Sequence, residues 1–415
     1  MTTHLVGTDV SLVDLPKVVA DKVAAGSRFA GLFASVRGRD VRLRAVQVRG
    51  GVVDIVDATV PEGTPSYPAL TPAVPAAAWY EREINDLFGL LPMGHPRTDP
   101  LVLPCAAGSP HPRPGSAAPM KEIELDLSPL PAHLTGEGVF TIPYGPVRSG
   151  VFEAIEYLVE TPGENIPHLR SRVYYKHRGV ETRFENALPA DGVLVAERVE
   201  GVASVAHALA FCQAVEQISG LDLPRQASLV RVLHAELERV ANHLDSTIRH
   251  TEAAGQAVAL ARLSTHKERV LRFRTNLCGH RFGRGVVVPG GVRGAPLISS
   301  REALSEVGRL EVAIRSDLRL LYETPSFLDR LRETGVISPD VARVHAAVGP
   351  VGRGSGQLDD ARIQRPYGAY GWLGIEPPRP RHEGDALARQ RVRSEEVWGA
   401  FHLVREALDE LDELG

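Results

Sequence analysis

Cysteine is nearly missing from this chain. Cys105, Cys212 and Cys278 are the only three in 415 residues, far apart and without a Cys-x-x-Cys pair. Three thiols cannot build a four-thiolate zinc or iron–sulfur site, and an extracellular disulfide framework needs more of them. The chain itself is therefore expected to carry no cluster. Charge of one sign is missing too: 47 Lys and Arg stand against 51 Asp and Glu, a net of −4. No global field draws such a chain to nucleic acid or to an anionic membrane surface. There is no run of about eighteen apolar residues to span a bilayer. The opening MTTHLVGTDVSLVDLP lacks the basic-then-apolar order of a signal peptide. A cytoplasmic chain without a direct membrane span is expected, reaching any membrane only through partners. No repeat of fixed period occurs.

What is present falls into three stretches. Ser11 to Ala25 carries Leu12, Leu15, Val18, Val19 and Val23 at roughly helical spacing. The runs RFAGLFASVRG, DVRLRAVQVRG and GVVDIVDATV then read as three strands punctuated by glycine. Val41, Leu43, Ala45 and Val48 against Arg42, Arg44 and Gln47 suggest a sheet with one wet face. This predicts a small α+β domain over residues 1–91. From residue 92 to 120 proline recurs at positions 92, 96, 100, 104, 110, 112, 114 and 119. Proline fixes φ and cannot donate to a ladder, so an extended linker is expected, with KEIELDL (121–127) as one strand beside it.

Residues 121–415 read as a larger domain with a helical-bundle core and flanking β-structure. The pieces GEGVFTIPYG and VFEAIEYLVET look like strands. In Arg225–His250, Leu229, Leu233, Leu237, Val240, Leu244 and Ile248 draw one apolar stripe opposite Arg231, Glu238, Asn242 and Asp245. Helices are also expected over Val202–Ser219, Ala257–Leu277, Arg301–Leu321 and Ser394–Leu414. The glycine-rich GRGVVVPGGVRGAP and GPVGRGSG read as loop returns between them. The fold class expected is α+β.

Three passages together resemble a known family. WYEREINDLFGLLPMGHP, Trp79 to Pro96, is similar to the signature that closes the C-type subunit of respiratory complex I. FTIPYGPVRSG, YYKHRGVETRFEN and LVRVLHAELERVANHL resemble successive motifs of the complex I D-type subunit. They also resemble those of its relative, the large subunit of membrane-bound, formate hydrogenlyase-type [NiFe] hydrogenases. CGHRFGRGVVVPGGVRG and QLDDARIQRPYGAYGWLGIEPPRPRHEGDALARQRVRSEEVW continue the resemblance in the right order. A fused C- and D-type chain is what such large subunits have.

The resemblance gives the stretch AERVEGVASVAHA, Ala196 to Ala208, its meaning. The hydrogenases read Arg-Val-Cys-Gly-Ile-Cys-x-x-x-His here, and the thiolates hold nickel and iron. This chain keeps Arg198, Gly201 and His207 but has Glu200 and Ala203 where the cysteines stand. The second cysteine pair of the family, expected near the C-terminus, does not occur before Gly415. A carboxylate beside an alanine does not replace soft bridging thiolates, so the nickel–iron centre is expected to be lost. The quinone chemistry of complex I uses a histidine in the first Gly-Pro motif and a tyrosine after His-Arg-Gly-x-Glu. Gly145-Pro146-Val147-Arg148-Ser149-Gly150 has no such histidine, and no tyrosine follows Glu181 before Ala190.

Several side chains remain as candidates. His177-Arg178-Gly179-Val180-Glu181 matches the family's His-Arg-Gly-x-Glu, whose acid relays protons in the hydrogenases. Proton transfer by Glu181 requires a partly buried carboxylate with a pKa near neutrality; the alternative, favoured without the metal, is a structural ion pair. Glu200 and His207, about two helical turns apart, offer a second pair for proton transfer. The competing expectation is that Glu200 neutralises a buried Arg198. His234, Glu238 and His243 do not form His-Glu-x-x-His, and the favoured reading is helix packing. Arg281, in the glycine-rich loop, joins this structural set. The glycines at 283, 285, 290, 291 and 294 do not make a dinucleotide fingerprint.

The resemblance thus implies a subunit of a complex I-like or formate hydrogenlyase-like oxidoreductase. Its partner would be an iron–sulfur small subunit carrying the cluster (complex I B-type or hydrogenase small-subunit-like). Membrane-arm subunits would follow through that partner, on the cytoplasmic side. Two alternatives stand beside it: a non-enzymatic scaffold that keeps the fold, and a quinone-reducing subunit with a remodelled site edged by Glu181, Arg198, Glu200 and His207.

Overall fold

The computed structural model describes residues 4–116, 122–128, 132–147, 154–377 and 379–414. They form two compact units, which divide between Thr182 and Arg183. The class is α+β, as expected from the sequence.

The first unit begins with a strand that no sequence pattern marked, β1 (His4–Asp9), followed by α1 (Leu15–Ala24). Next come β2 (Arg28–Arg37), β3 (Asp40–Arg49) and β4 (Val52–Val60), in the sheet order β1-β4-β3-β2. The β1–β4 pairing is parallel and the others antiparallel. One part of the wet-face reading is corrected here. Strict alternation along β3 buries Val41, Leu43, Ala45 and also Gln47, which donates its amide to the Val19 carbonyl at 2.8 Å. Val48, not Gln47, sits on the face of Arg42 and Arg44, and that face carries an Arg44–Asp57 pair at 2.8 Å. A buried amide is tolerated because its N–H finds a partner.

A short parallel pair, β5 (Ser66–Pro68) with β6 (Leu91–Met93), flanks α2 (Ala78–Phe88). Helix α2 is where WYEREINDLFG lies, and its buried acids explain the proline-rich stretch after it. The Asp86 carboxylate accepts the N–H groups of Leu101, Val102 and Leu103 at 2.7, 2.8 and 3.1 Å. Arg82 donates to the carbonyls of Asp99 and Pro100, and Glu81 takes the N–H groups of Leu70 and Thr71. A chain segment without its own ladder must have its backbone groups satisfied elsewhere, and α2 does this. Within Glu122–Ser128 one antiparallel bridge, Cys105 to Leu125, replaces the expected strand; Lys121 lies outside the described residues. The unit ends in an antiparallel meander, β7 (Phe140–Tyr144), β8 (Glu156–Thr161) and β9 (His168–Arg172). Arg148, Ser149 and Gly150 of the Gly-Pro motif lie outside the described residues.

The second unit is helical. After α3 (Pro189–Ala196) and α4 (Ser204–Ser219), the chain forms α5 (Arg225–Ala253) and α6 (Ala257–Cys278). A two-residue hairpin, β10 (Val287–Val288) and β11 (Gly291–Val292), is all the order in the glycine-rich loop. Helix α7 (Ser300–Tyr322) opens on a capping box between Ser299 and Glu302. Four short helices, α8 (Pro325–Leu331), α9 (Pro339–Val344), α10 (Gly349–Gly354) and α11 (Ala361–Gln364), lead to α12 (Ala386–Leu414). Helix α10 falls on GPVGRGSG, which was expected to be a loop. Helix α12 starts two turns before the expected Ser394.

Helices α5, α6, α7 and α12 close a four-helix bundle, each packed on two others. Leu229, Leu233, Leu237, Val240 and Leu244 of α5 are fully buried, in one core with Leu310 and Ile314 of α7 and Phe401 and Val404 of α12. Each buried leucine contributes about 2 kcal/mol by transfer alone. Helix α5 also carries charge inside. Arg231 makes a two-pronged pair with Glu216 of α4 at 2.5 and 2.9 Å and donates to the carbonyls of Val288 and Gly291. The same Glu216 accepts Gly290 N–H, so the glycine loop is moored to two helices.

Candidate functional site

The stretch that resembles the metal-binding motif is a turn between two helices. Helix α3 ends at Ala196, and α4 begins at Ser204 with Ala203 as its cap. Glu200 therefore stands before the helix rather than two turns along it, and the shared face expected for Glu200 and His207 does not exist. The Glu200 side chain is exposed and accepts the N–H of Val202, two residues on, at 2.9 Å. Arg198 is not buried: its side chain is 54% exposed, pairs with Glu197 at 3.5 Å and donates to the Leu194 carbonyl. The acid that the motif does bury is Glu197, 2% exposed, which accepts Gly285 N–H from the glycine loop. His207 is half-buried in the first turn of α4.

Beneath this turn lies a cluster that no local pattern marks. Glu238 of α5 accepts Val205 N–H and Ala206 N–H, both at 2.8 Å, and so caps α4 from outside it. Arg274 of α6, 1% exposed, reaches Glu238 at 3.4 Å. Burial pushes the Glu238 carboxyl up, and Arg274 opposes that shift. His234, one turn before Glu238, is also 1% exposed; burial, with the Arg274 charge, pushes its imidazole down to about 3. His234 is thus neutral at pH 7. Arg284 approaches Ser204 at 3.5 Å, and His280 accepts the N–H of Phe282 at 3.1 Å. Burial raises the Cys278 thiol.

Two of the cavities that open among the described residues lie in this unit. One, of about 600 Å³, adjoins Gly201 and Val202. Its walls carry the pairs Lys267–Asp245 at 2.5 Å and Arg281–Glu268 at 2.6 Å, with Ile248, Leu271 and Phe282 between them. Of the predicted residues it includes Arg281, whose guanidinium also lies 5.4 Å from the Phe282 ring centre. Glu200, Arg198 and His207 do not line it. The other cavity, of about 460 Å³, has Trp398 under the Arg315 guanidinium at 4.3 Å, with Arg362 and Glu396 in its lining. His243 donates to Glu396 at 2.8 Å, and Arg353 does so at 2.7 Å, so His243 is a buried packing partner of α12. His243 and Glu238 do not converge on a common point.

His177, Arg178 and Glu181 are all exposed, in the first unit. A partly buried Glu181 is not what the structure has. The partly buried acid is Glu83 of α2, raised to about 7 by burial, then by the charges of Glu181 and Asp86. The sequence assigned Glu83 no chemistry; only tertiary folding brings it near Glu181.

The donor set can be tested against a nickel–iron centre. At the two matching positions stand an exposed carboxylate folded onto its own turn and a methyl group. Among the described residues no three His, Cys, Asp or Glu side chains converge in a metal-holding arrangement. These residues do not fit such a centre.

Residues 29–114 match the family described as respiratory-chain NADH dehydrogenase, 30 Kd subunit. Residues 178–245 match nickel-dependent hydrogenase, and residues 254–415 match respiratory-chain NADH dehydrogenase, 49 Kd subunit. Formate hydrogenlyase subunit 5 of Escherichia coli (strain K12) is 30% identical over 373 residues, 86% of this chain and 63% of that protein. Hydrogenase-4 component G of the same organism is 27% identical, covering 86% of this chain and 62% of that protein. The carbon monoxide-induced hydrogenase of Rhodospirillum rubrum is 29% identical over 274 residues, 66% of this chain and 76% of that protein. In this order along the chain, the three matches make it similar to fused complex I C/D-type subunits and to nickel-dependent hydrogenase large subunits. It spans a little under two thirds of the length of the first two relatives.

Proposed function

We propose that this chain is a core subunit of a complex I-like or formate hydrogenlyase-like oxidoreductase that docks on an iron–sulfur small subunit and has lost the nickel–iron centre. The observation that carries this reading is the motif turn itself, where Glu200 is hydrogen-bonded to Val202 N–H and Ala203 caps α4. Soft-metal chemistry needs sulfur donors, and neither position supplies one. No helix among the described residues is long and apolar enough to cross a membrane; in this reading the chain attaches through partners, on the cytoplasmic side. Electrons would then pass through the partner's cluster, with this chain as its fitted housing. A quinone-reducing role is the second reading, supported by the cleft of about 600 Å³ beside Gly201 and its mixed lining of Phe282, Ile248, Lys267 and Arg281.

Affinity purification of the tagged full chain from its native host, with metal analysis and peptide identification, tests both halves. We expect a small subunit with iron and acid-labile sulfide, and nickel far below one per complex. Stoichiometric nickel sinks the lost-centre reading. A co-purified small subunit whose own cluster cysteines are gone moves the chain to the scaffold reading. Tight saturable binding of a menaquinone analogue, lost on Phe282→Ala, favours the quinone reading.

A further inference from the structure

The capping of α4 by Glu238 is an unusual way to begin a helix of 16 residues. A helix N-terminus has unpaired N–H groups and a partial positive charge, and small anions settle there. Here Val205 N–H and Ala206 N–H each donate at 2.8 Å to a different oxygen of one carboxylate, the geometry of a bound planar oxyanion. The carboxylate, however, arrives from α5, at Glu238. Arg274 stands beside it, and His234, which feels the Arg274 charge, lies one turn earlier on α5. Arg274 is 1% exposed, places one terminal nitrogen 3.4 Å from a Glu238 oxygen, and has a buried Nε with no hydrogen-bond partner. His234, also 1% exposed, has a buried Nδ1 with no partner. The loop closes the space tightly: at Gly283, with φ +63°, a Cβ would stand 2.6 Å from the Arg274 guanidinium and 2.8 Å from Val205. Only glycine lets the loop pass there.

We infer that the N-terminus of α4, with Arg274 behind it, is a built oxyanion pocket for small monocarboxylates, and that the Glu238 side chain is its resident occupant. The inference is independent of the docking reading above. Its consequence is positional: the internal carboxylate fixes the start of α4, and with it the Arg198–Ala203 turn, without help from a metal.

Replacing Glu238 by glycine removes a side chain equivalent to propionate, so free propionate is the matched probe and propionamide its uncharged control. In Glu238→Gly we expect the midpoint of thermal unfolding to fall by about 5 °C, the scale of a lost cap at a buried charge. Propionate should restore it saturably, propionamide should not, and the wild-type chain should respond to neither. Equal responses to both compounds, or an equal response of wild type, overturns the inference. Should Glu238→Gly fail to fold, Glu238→Gln keeps the volume and gives up the charge. In that variant, amide exchange at Val205 and Ala206 should quicken about tenfold, as for a weakened charged hydrogen bond. Unchanged exchange there overturns it equally.

Discussion

At the scale of single residues, two ionisable groups make opposite demands on pH. His234 is neutral in the folded chain because burial, then Arg274, lowers it to about 3 from an ordinary 6.5. The unfolded chain therefore binds the proton more readily, and the stability linked to His234 is complete above pH 6.5 and lost as the pH falls toward 3. Between pH 7 and 5 this loss is about 2 kcal/mol. His234→Asn should flatten that part of the stability profile, measured by urea unfolding at each pH. A variant profile parallel to wild type refutes the assignment. Glu83 runs the other way. Its folded carboxyl is raised from 4.5 to about 7, so the folded chain binds the proton more readily and stability falls as the pH rises through that window. Glu83→Gln should stabilise the chain more at pH 8 than at pH 5, by roughly 2 kcal/mol after allowance for solvent screening. Glu181→Gln should shift the Glu83 window downward, because a like charge is removed. If Glu181→Gln leaves the window in place, burial and the Asp86 charge set it without Glu181.

At the scale of elements, the informative contact is Arg231 of α5 with Glu216 of α4, which also holds the glycine loop. Removing one partner from a buried pair leaves a charge without compensation and costs about 3–5 kcal/mol. Glu216→Leu and Arg231→Met should each cost that much. The double variant should cost clearly less than their sum, because neither charge is then stranded. Chemical denaturation of the four proteins in the cycle gives the coupling; a simply additive double variant means the pair does not act as a unit. The bundle helices around this contact were legible in the sequence, since their apolar residues recur at 3.6-residue spacing. Other elements were not. Strand β1 is six residues long, and its parallel partner β4 lies more than 40 residues away, so nothing local marks it. Helix α10 is built from Gly349-Pro350-Val351-Gly352-Arg353-Gly354, poor helix formers held in place by Arg353 on Glu396. Gln47 looked like a surface residue because its partner, the Val19 carbonyl, belongs to a helix 28 residues earlier.

At the scale of the whole molecule, a chain that binds a metal only when folded gains stability with metal concentration. Titrating nickel into the chelator-treated full chain should therefore leave its unfolding midpoint unchanged. A rise that saturates at one nickel per chain would contradict the proposed loss of the centre. The candidate site divides along similar lines. That Glu200 and Ala203, not cysteines, occupy the motif turn is plain from residue order. The exposure of Arg198 and Glu181, and the burial of Glu197 and Arg274, are not, because burial depends on segments far apart in the chain.

The amino-acid order alone determined which thiols are available and which bundle helices form, because thiol supply and helical periodicity are local properties of the chain. Folding decided the rest. Which acids sit beside which amides, which histidine loses its proton, and where a cavity opens all follow from desolvation and from distances between segments that residue order does not specify.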